Sequence, residues 1–166
     1  LNADGSILIG SRKFGGTDKD GVNIRPKESI GPVSINRNYG DDARSEVNVD
    51  NNNNIYLASC TRSSNFPVSS NAFQKTFGDL QDGVVIKTSS DLNTVIFSSF
   101  LGGNGEDAAF VLSLNPLNSN IYVGGATTSD NLKGTGGNNG PNLFSSFQGG
   151  ISGGGDGFVS IIRNDG

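Results

Sequence analysis

Apolar residues along this chain fall into short runs separated by Gly, Asn and Asp, a pattern that predicts strands and turns with almost no helix. The run Ser6-Ile7-Leu8-Ile9-Gly10-Ser11-Arg12-Lys13-Phe14 lies between Asp4-Gly5 and Gly15-Gly16 and is expected to be a strand between two turns. A second run, Thr94-Val95-Ile96-Phe97-Ser98-Ser99-Phe100-Leu101, is more apolar and is expected to pack on both faces. Ala43-Arg44-Ser45-Glu46-Val47-Asn48-Val49-Asp50 alternates as a half-exposed strand does, whereas Ala108-Ala109-Phe110-Val111-Leu112-Ser113-Leu114-Asn115 reads as more buried. The Asn-rich tracts 50–54 and 115–120 suit turns, because asparagine tolerates the left-handed backbone. Each tract leads into a further apolar run, so strand, polar turn and strand predict antiparallel hairpins. Runs at 83–88 and 157–163 then bring each unit to four strands.

These units are copies of one another. Asn54-Ile55-Tyr56-Leu57-Ala58-Ser59-Cys60-Thr61-Arg62-Ser63 returns as Asn120-Ile121-Tyr122-Val123-Gly124-Gly125-Ala126-Thr127-Thr128-Ser129. Gly40-Asp41-Asp42-Ala43 returns as Gly105-Glu106-Asp107-Ala108, and Asp82-Gly83-Val84-Val85 as Asp156-Gly157-Phe158-Val159. Residues 4–20 align without a gap on residues 91–107. The chain therefore reads as one segment, 1–166, holding repeat units at 5–91 and 92–165, the first carrying an insertion at 21–39. Its ends fall at matching points of the repeat, which predicts a section of a longer array whose neighbouring repeats bury what one unit leaves open.

The insertion places Arg25, Lys27 and Arg37 on an otherwise acidic chain, with Pro26 and Pro32 interrupting any regular element. Insertions in repeat folds tend to emerge on the binding face, so these three residues are the candidate partner contacts, against the plainer reading of a solvated loop. The connection after each hairpin carries phenylalanines, Phe73 and Phe77 in the first copy and Phe144 and Phe147 in the second, expected to peg the loop to the core.

Four short antiparallel strands per unit with glycine-rich turns describe a propeller blade, so the expected fold is all-β, with about two blades' worth of a larger β-propeller. Leu101-Gly102-Gly103-Asn104-Gly105-Glu106-Asp107, then Asn120-Ile121-Tyr122-Val123-Gly124-Gly125-Ala126-Thr127, then Asp156-Gly157-Phe158-Val159 occur in the order of a known pattern, and the first copy supplies Ser64-Asn65-Phe66-Pro67. In these motifs the chain resembles the bacterial β-propeller repeats called SBBP. It departs from them where Leu132 replaces the Phe-Pro pair and where the insertion separates Phe14-Gly15-Gly16 from Gly40-Asp41-Asp42. The resemblance implies a large secreted or surface-anchored protein of the gliding-bacterial kind, exported by the type nine route and bearing a gliding-motility-associated C-terminal sorting domain. It implies a location and a scaffold, not a reaction.

Composition narrows the chemistry. A net charge of −4 without clustered Lys or Arg argues against nucleic acid and against a polybasic membrane patch, and no run reaches membrane-spanning length. The chain has no histidine, which removes Ser-His-Asp and Cys-His catalysis and histidine metal sites. Cys60, the single cysteine, stands where the second copy has Ala126 and is expected to be a small core residue. Gly103-Asn104-Gly105-Glu106-Asp107-Ala108 fits the dinucleotide fingerprint, but no helix follows it and its acidic pair would repel a pyrophosphate.

The acidic pairs Asp18/Asp20, Asp41/Asp42 and Glu106/Asp107 recur at turns. A catalytic pair is needed once, a turn residue in every repeat, so aspartate bonding its own turn amides is the expected role. Calcium is the alternative, with Asp18, Asp20 and Asp50 as the candidate hard ligands; no other cofactor is expected. The function these readings favour is a non-enzymatic extracellular scaffold or adhesion module. Its partners would be neighbouring repeats, other surface proteins or glycans. The alternatives are a carbohydrate-binding or carbohydrate-active propeller whose site lies largely outside this chain, and a subunit that closes a ring by homo-oligomerisation.

Overall fold

The computed structural model describes residues 2, 4–21, 45–129, 131–132 and 156–166. Among these residues the fold is all-β: β1 (Glu46–Val49), β2 (Ile55–Thr61), β3 (Asp82–Thr88), β4 (Val95–Leu101), β5 (Asp107–Leu114), β6 (Ile121–Thr127) and β7 (Asp156–Ile162). A four-stranded sheet runs β1-β2-β3-β4 and a three-stranded sheet runs β5-β6-β7, every pair antiparallel and every neighbour in space a neighbour in sequence. The polar tracts make the hairpin turns as expected. Asn53 takes a φ of 63° between β1 and β2, and Ser119 one of 57° between β5 and β6.

The main core lies between the sheets. Tyr56, Val85, Phe97 and Leu101 of the first sheet pack against Ala109, Leu112, Ile121, Val123 and Ile162 of the second. Alternation along β3 and β4 sends Val84, Ile86 and Phe100 to the other face of the first sheet. There the loop that joins β2 to β3 covers them: the rings of Phe66 and Phe77 lie tilted against Phe100 at centroid distances of 6.2 and 5.6 Å. The expected pegging is thus carried by Phe66 and Phe77, while Phe73 is 42% exposed. Phe144 and Phe147 lie outside the described residues.

Two expectations need correction. Residues 6–14 form no strand, and Ile7, Leu8 and Ile9 are 61%, 66% and 70% exposed. Their counterpart β4 is a strand because β3 offers it an edge; among the described residues nothing pairs with 8–14 in this way. That segment is held by side chains instead. Arg12 Nη1 donates to the carbonyls of Leu92 (2.6 Å) and Asn93 (2.9 Å), and Phe14 packs beside the Phe100 cluster. Second, β4 opens the second unit in sequence yet completes the sheet begun by the first. Sheets and sequence repeats are out of phase by one strand.

Candidate functional site

The repeated stretch owes its polar ending to a turn that it clasps. In the first copy Asp20 Oδ2 accepts from the Gly16 amide (2.9 Å) and from Ser63 Oγ (3.1 Å), and Asp20 Oδ1 accepts from the Thr61 hydroxyl. Asn65 Oδ1 accepts from the Thr17 amide (3.0 Å), and Ser63 Oγ from the Asp18 amide (2.8 Å). In the second copy Asp107 Oδ2 accepts from the Gly103 amide (2.8 Å) and Ser129 Oγ (2.6 Å). Asn131 Oδ1 accepts from the Asn104 amide (2.8 Å), and Ser129 Oγ from the Gly105 amide (2.8 Å). The serine of each copy donates its own amide to the threonine two residues earlier, at 2.9 Å in both. Each carboxylate so placed satisfies amides that a bare turn would leave to solvent.

The glycines follow from the same geometry. A methyl group on Gly16 would overlap Asn65 Oδ1 and lie 2.5 Å from Ser63 Cβ; one on Gly103 would lie 2.5 Å from Asn131 Oδ1 and 2.7 Å from Ser129 Cβ. The repeated glycine is there because the backbone runs against the clasping side chains.

Asp20 bridges antiparallel to Thr61 as Asp107 does to Thr127. The structural counterpart of Asp107 is therefore Asp20, as in the ungapped alignment of 4–20 on 91–107. Asp41 and Asp42, the other candidates for that place, lie outside the described residues, as do Arg25, Lys27 and Arg37.

The calcium candidates are distributed over two turns. Asp18 and Asp20 belong to the clasped turn, where Asp18 Oδ1 accepts from the Lys19 amide (2.8 Å). Asp50 heads the β1–β2 turn and accepts from the amides of Asn52 (2.8 Å) and Asn54 (2.9 Å), from Asn54 Nδ2 (2.9 Å) and from the Tyr56 hydroxyl (3.0 Å). Burial works against the charged form of Asp50, but these donors outweigh it and hold its carboxyl below the ordinary range. Among the described residues no three His, Cys, Asp or Glu side chains gather as a metal-binding group. Cys60 is buried, and its burial, with Asp20 nearby, pushes the thiol up to about 12.

One feature the sequence did not disclose is a second carboxylate beside Asp107. Asp82, at the start of β3, accepts from the Gly78 amide at 2.9 Å and from Gln74 Nε2 at 3.2 Å, both through Oδ2. A methyl group on Gly102 would overlap Asp82 Oδ1 and lie 3.0 Å from Asp107 Oδ2, so the two carboxylates face one another across Gly102. Both side chains are fully buried, and neither Oδ1 has a hydrogen-bond partner among the described residues. Burial first, and the neighbouring Asp107 charge next, push Asp82 up to about 7 against the pull of the Gly78 amide. The pair lies where the two sheets meet and has no exposed surface. The available signal was the spacing Gly78 to Asp82, which matches Gly16 to Asp20 and Gly103 to Asp107.

No family model, curated protein or solved structure matches this chain. Among the described residues no helix is long and apolar enough to cross a membrane.

Proposed function

We propose that this chain is a section of a bacterial surface protein built from β-propeller blades, acting outside the cell as a non-enzymatic scaffold and adhesion module. The observation that carries the reading is the rebuilding of one aspartate-centred turn at Asp20 and at Asp107, in each of which Oδ2 accepts from a glycine amide and a serine hydroxyl. A reaction needs its carboxylate once, whereas a stack of repeats needs its turn in each member. Support comes also from the sheets: each is a meander in chain order, and the first is finished by a strand that opens the next repeat. The motifs shared with SBBP repeats supply the expected surface location. Loops on one rim, above all residues 21–39 with Arg25, Lys27 and Arg37, would meet the partner, a surface protein or a glycan.

The test displays the chain on the surface of a non-adherent bacterium and incubates the purified protein with a panel of polysaccharides. Attachment to mucin-coated or polysaccharide-coated glass should rise, with no release of reducing ends. Unchanged attachment, or reducing-end release abolished by substituting an acidic residue that has no counterpart in the other repeat, such as Asp79→Asn, would overturn the proposal.

A further inference from the structure

The repeat gives β1, β2 and β3 counterparts in β5, β6 and β7, and comparison of the counterparts exposes an unfilled interface. Tyr56 and Val85 are fully buried between the sheets; their counterparts on β6 and β7, Tyr122 and Val159, are 37% and 70% exposed. On the opposite side of the molecule the relation is reversed. Leu112 is 4% exposed against the first sheet, and its counterpart on β1, Val47, is 61% exposed. The pairings of Leu112 with Val123 and of Val47 with Leu57 fix this equivalence. One end of the molecule thus presents the face that the first sheet buries internally, and the other presents the face that the second sheet buries.

The sheet that lacks a fourth strand is the second. Among the described residues β7 pairs only with β6, whereas its counterpart β3 pairs on its other edge with β4. The counterpart of β4 is the segment 8–14, which pairs with no strand among the described residues and carries the exposed side chains of Leu8 and Ile9. In its own chain this segment already occupies, on the far face of the first sheet, the place β4 holds on the second. Leu101 sits in the intersheet core, and Phe14, its counterpart, sits in the Phe100 cluster.

We infer that a second copy of this chain docks head to tail on the first, adding its segment 8–14 to β7 as a fourth strand and stacking its first sheet on the face around Tyr122 and Val159. Transfer of the β3–β4 register sets the alignment: Gly157 opposite Phe14, Val159 opposite Arg12, Ile161 opposite Gly10 and Ile162 opposite Leu8, each residue of the segment from the other copy. The contact is heterologous, so the two ends of the pair remain competent, and the series grows until it closes into a ring or continues as a filament. The inference rests on the repeat-scaffold reading and names its contact.

The test is the mass of the full chain by light scattering over a range of concentrations. Mass should climb above the monomer's 17.2 kDa with concentration. Val159→Asp, at a side chain already exposed in the single chain, should weaken association at least tenfold while leaving the circular dichroism of the monomer unchanged. Gly10→Pro, which removes an amide that the transferred register aims at β7, should do the same. Mixing an Arg12→Cys chain with a Val159→Cys chain should give a disulfide-linked dimer, and Arg12→Cys with Ile161→Cys should not. A monomer at every concentration, association indifferent to both variants, or cross-links blind to register would overturn the inference. Attachment without turnover by a strictly monomeric chain would sink this contact and leave the scaffold reading standing; assembly accompanied by turnover would do the reverse.

Discussion

Replacing Asp82 by Asn should stabilise the protein and remove most of its pH dependence above pH 5. Asp82 is fully buried with its carboxyl raised from 3.8 to about 7, so the folded state holds a proton that the unfolded chain releases near pH 4. The sign follows: this group's contribution is complete below about pH 4 and is lost as pH rises towards 7. At about 1.4 kcal/mol per pKa unit the whole effect is about 4 kcal/mol, of which about 2–3 kcal/mol falls between pH 5 and pH 8. Asn keeps an oxygen for the Gly78 amide and Gln74 Nε2, and turns an NH2 towards Asp107 in place of a second carboxylate oxygen. Urea unfolding of the full chain at pH 5, 6, 7 and 8, followed by far-UV circular dichroism, measures both effects. The wild type should lose about 2–3 kcal/mol across that range, and Asp82→Asn should stay nearly flat and exceed the wild type at pH 8 by about 2 kcal/mol. A variant that is weaker than the wild type at pH 8, or a wild type most stable at that pH, would refute the account of the pair.

Three further outcomes follow from the same geometry. Gly102→Ala drives a methyl group into Asp82 and should cost about 1–3 kcal/mol, read as a lower thermal midpoint. Asp50→Ala strands the donors of Asn52, Asn54 and Tyr56 and should cost about 1–3 kcal/mol in the same melt, an effect that vanishes if the β1–β2 turn holds by backbone alone. Cys60, buried and with its thiol pushed up to about 12, should resist Ellman's reagent at pH 8 in the native protein and react with one equivalent in urea; rapid native labelling would contradict its place in the core.

The strands easiest to read were those whose both faces are apolar or whose polar turn is explicit. Val95–Leu101 and Asp107–Leu114 announced themselves by buried runs, and the Asn-rich tracts marked their hairpins. Residues 6–14 misled because side-chain pattern records a capacity for pairing, while a strand also requires a partner edge, and among the described residues none is offered to them. Asp82 was hidden for a related reason. Its identity is visible in the repeat, but its meaning depends on Asp107, which reaches it only through packing of the two sheets.

Gly21 and Ser45 meet the first sheet within a single step of β2. Gly21 donates its amide to the carbonyl of Cys60 at 2.8 Å, and Ser45 reaches the hydroxyl of Ser59, the preceding residue, at 2.7 Å. In the other copy the same two places are filled by Ala108 and Ala109, joined by one peptide bond. The sheet therefore carries Gly21 and Ser45 as it carries two adjacent residues, although residues 22–44 separate them in sequence, and loop closure costs grow only slowly with length. Such a junction behaves as a socket: sequence can be exchanged there over generations, or by design, while the register of every strand around it stays fixed.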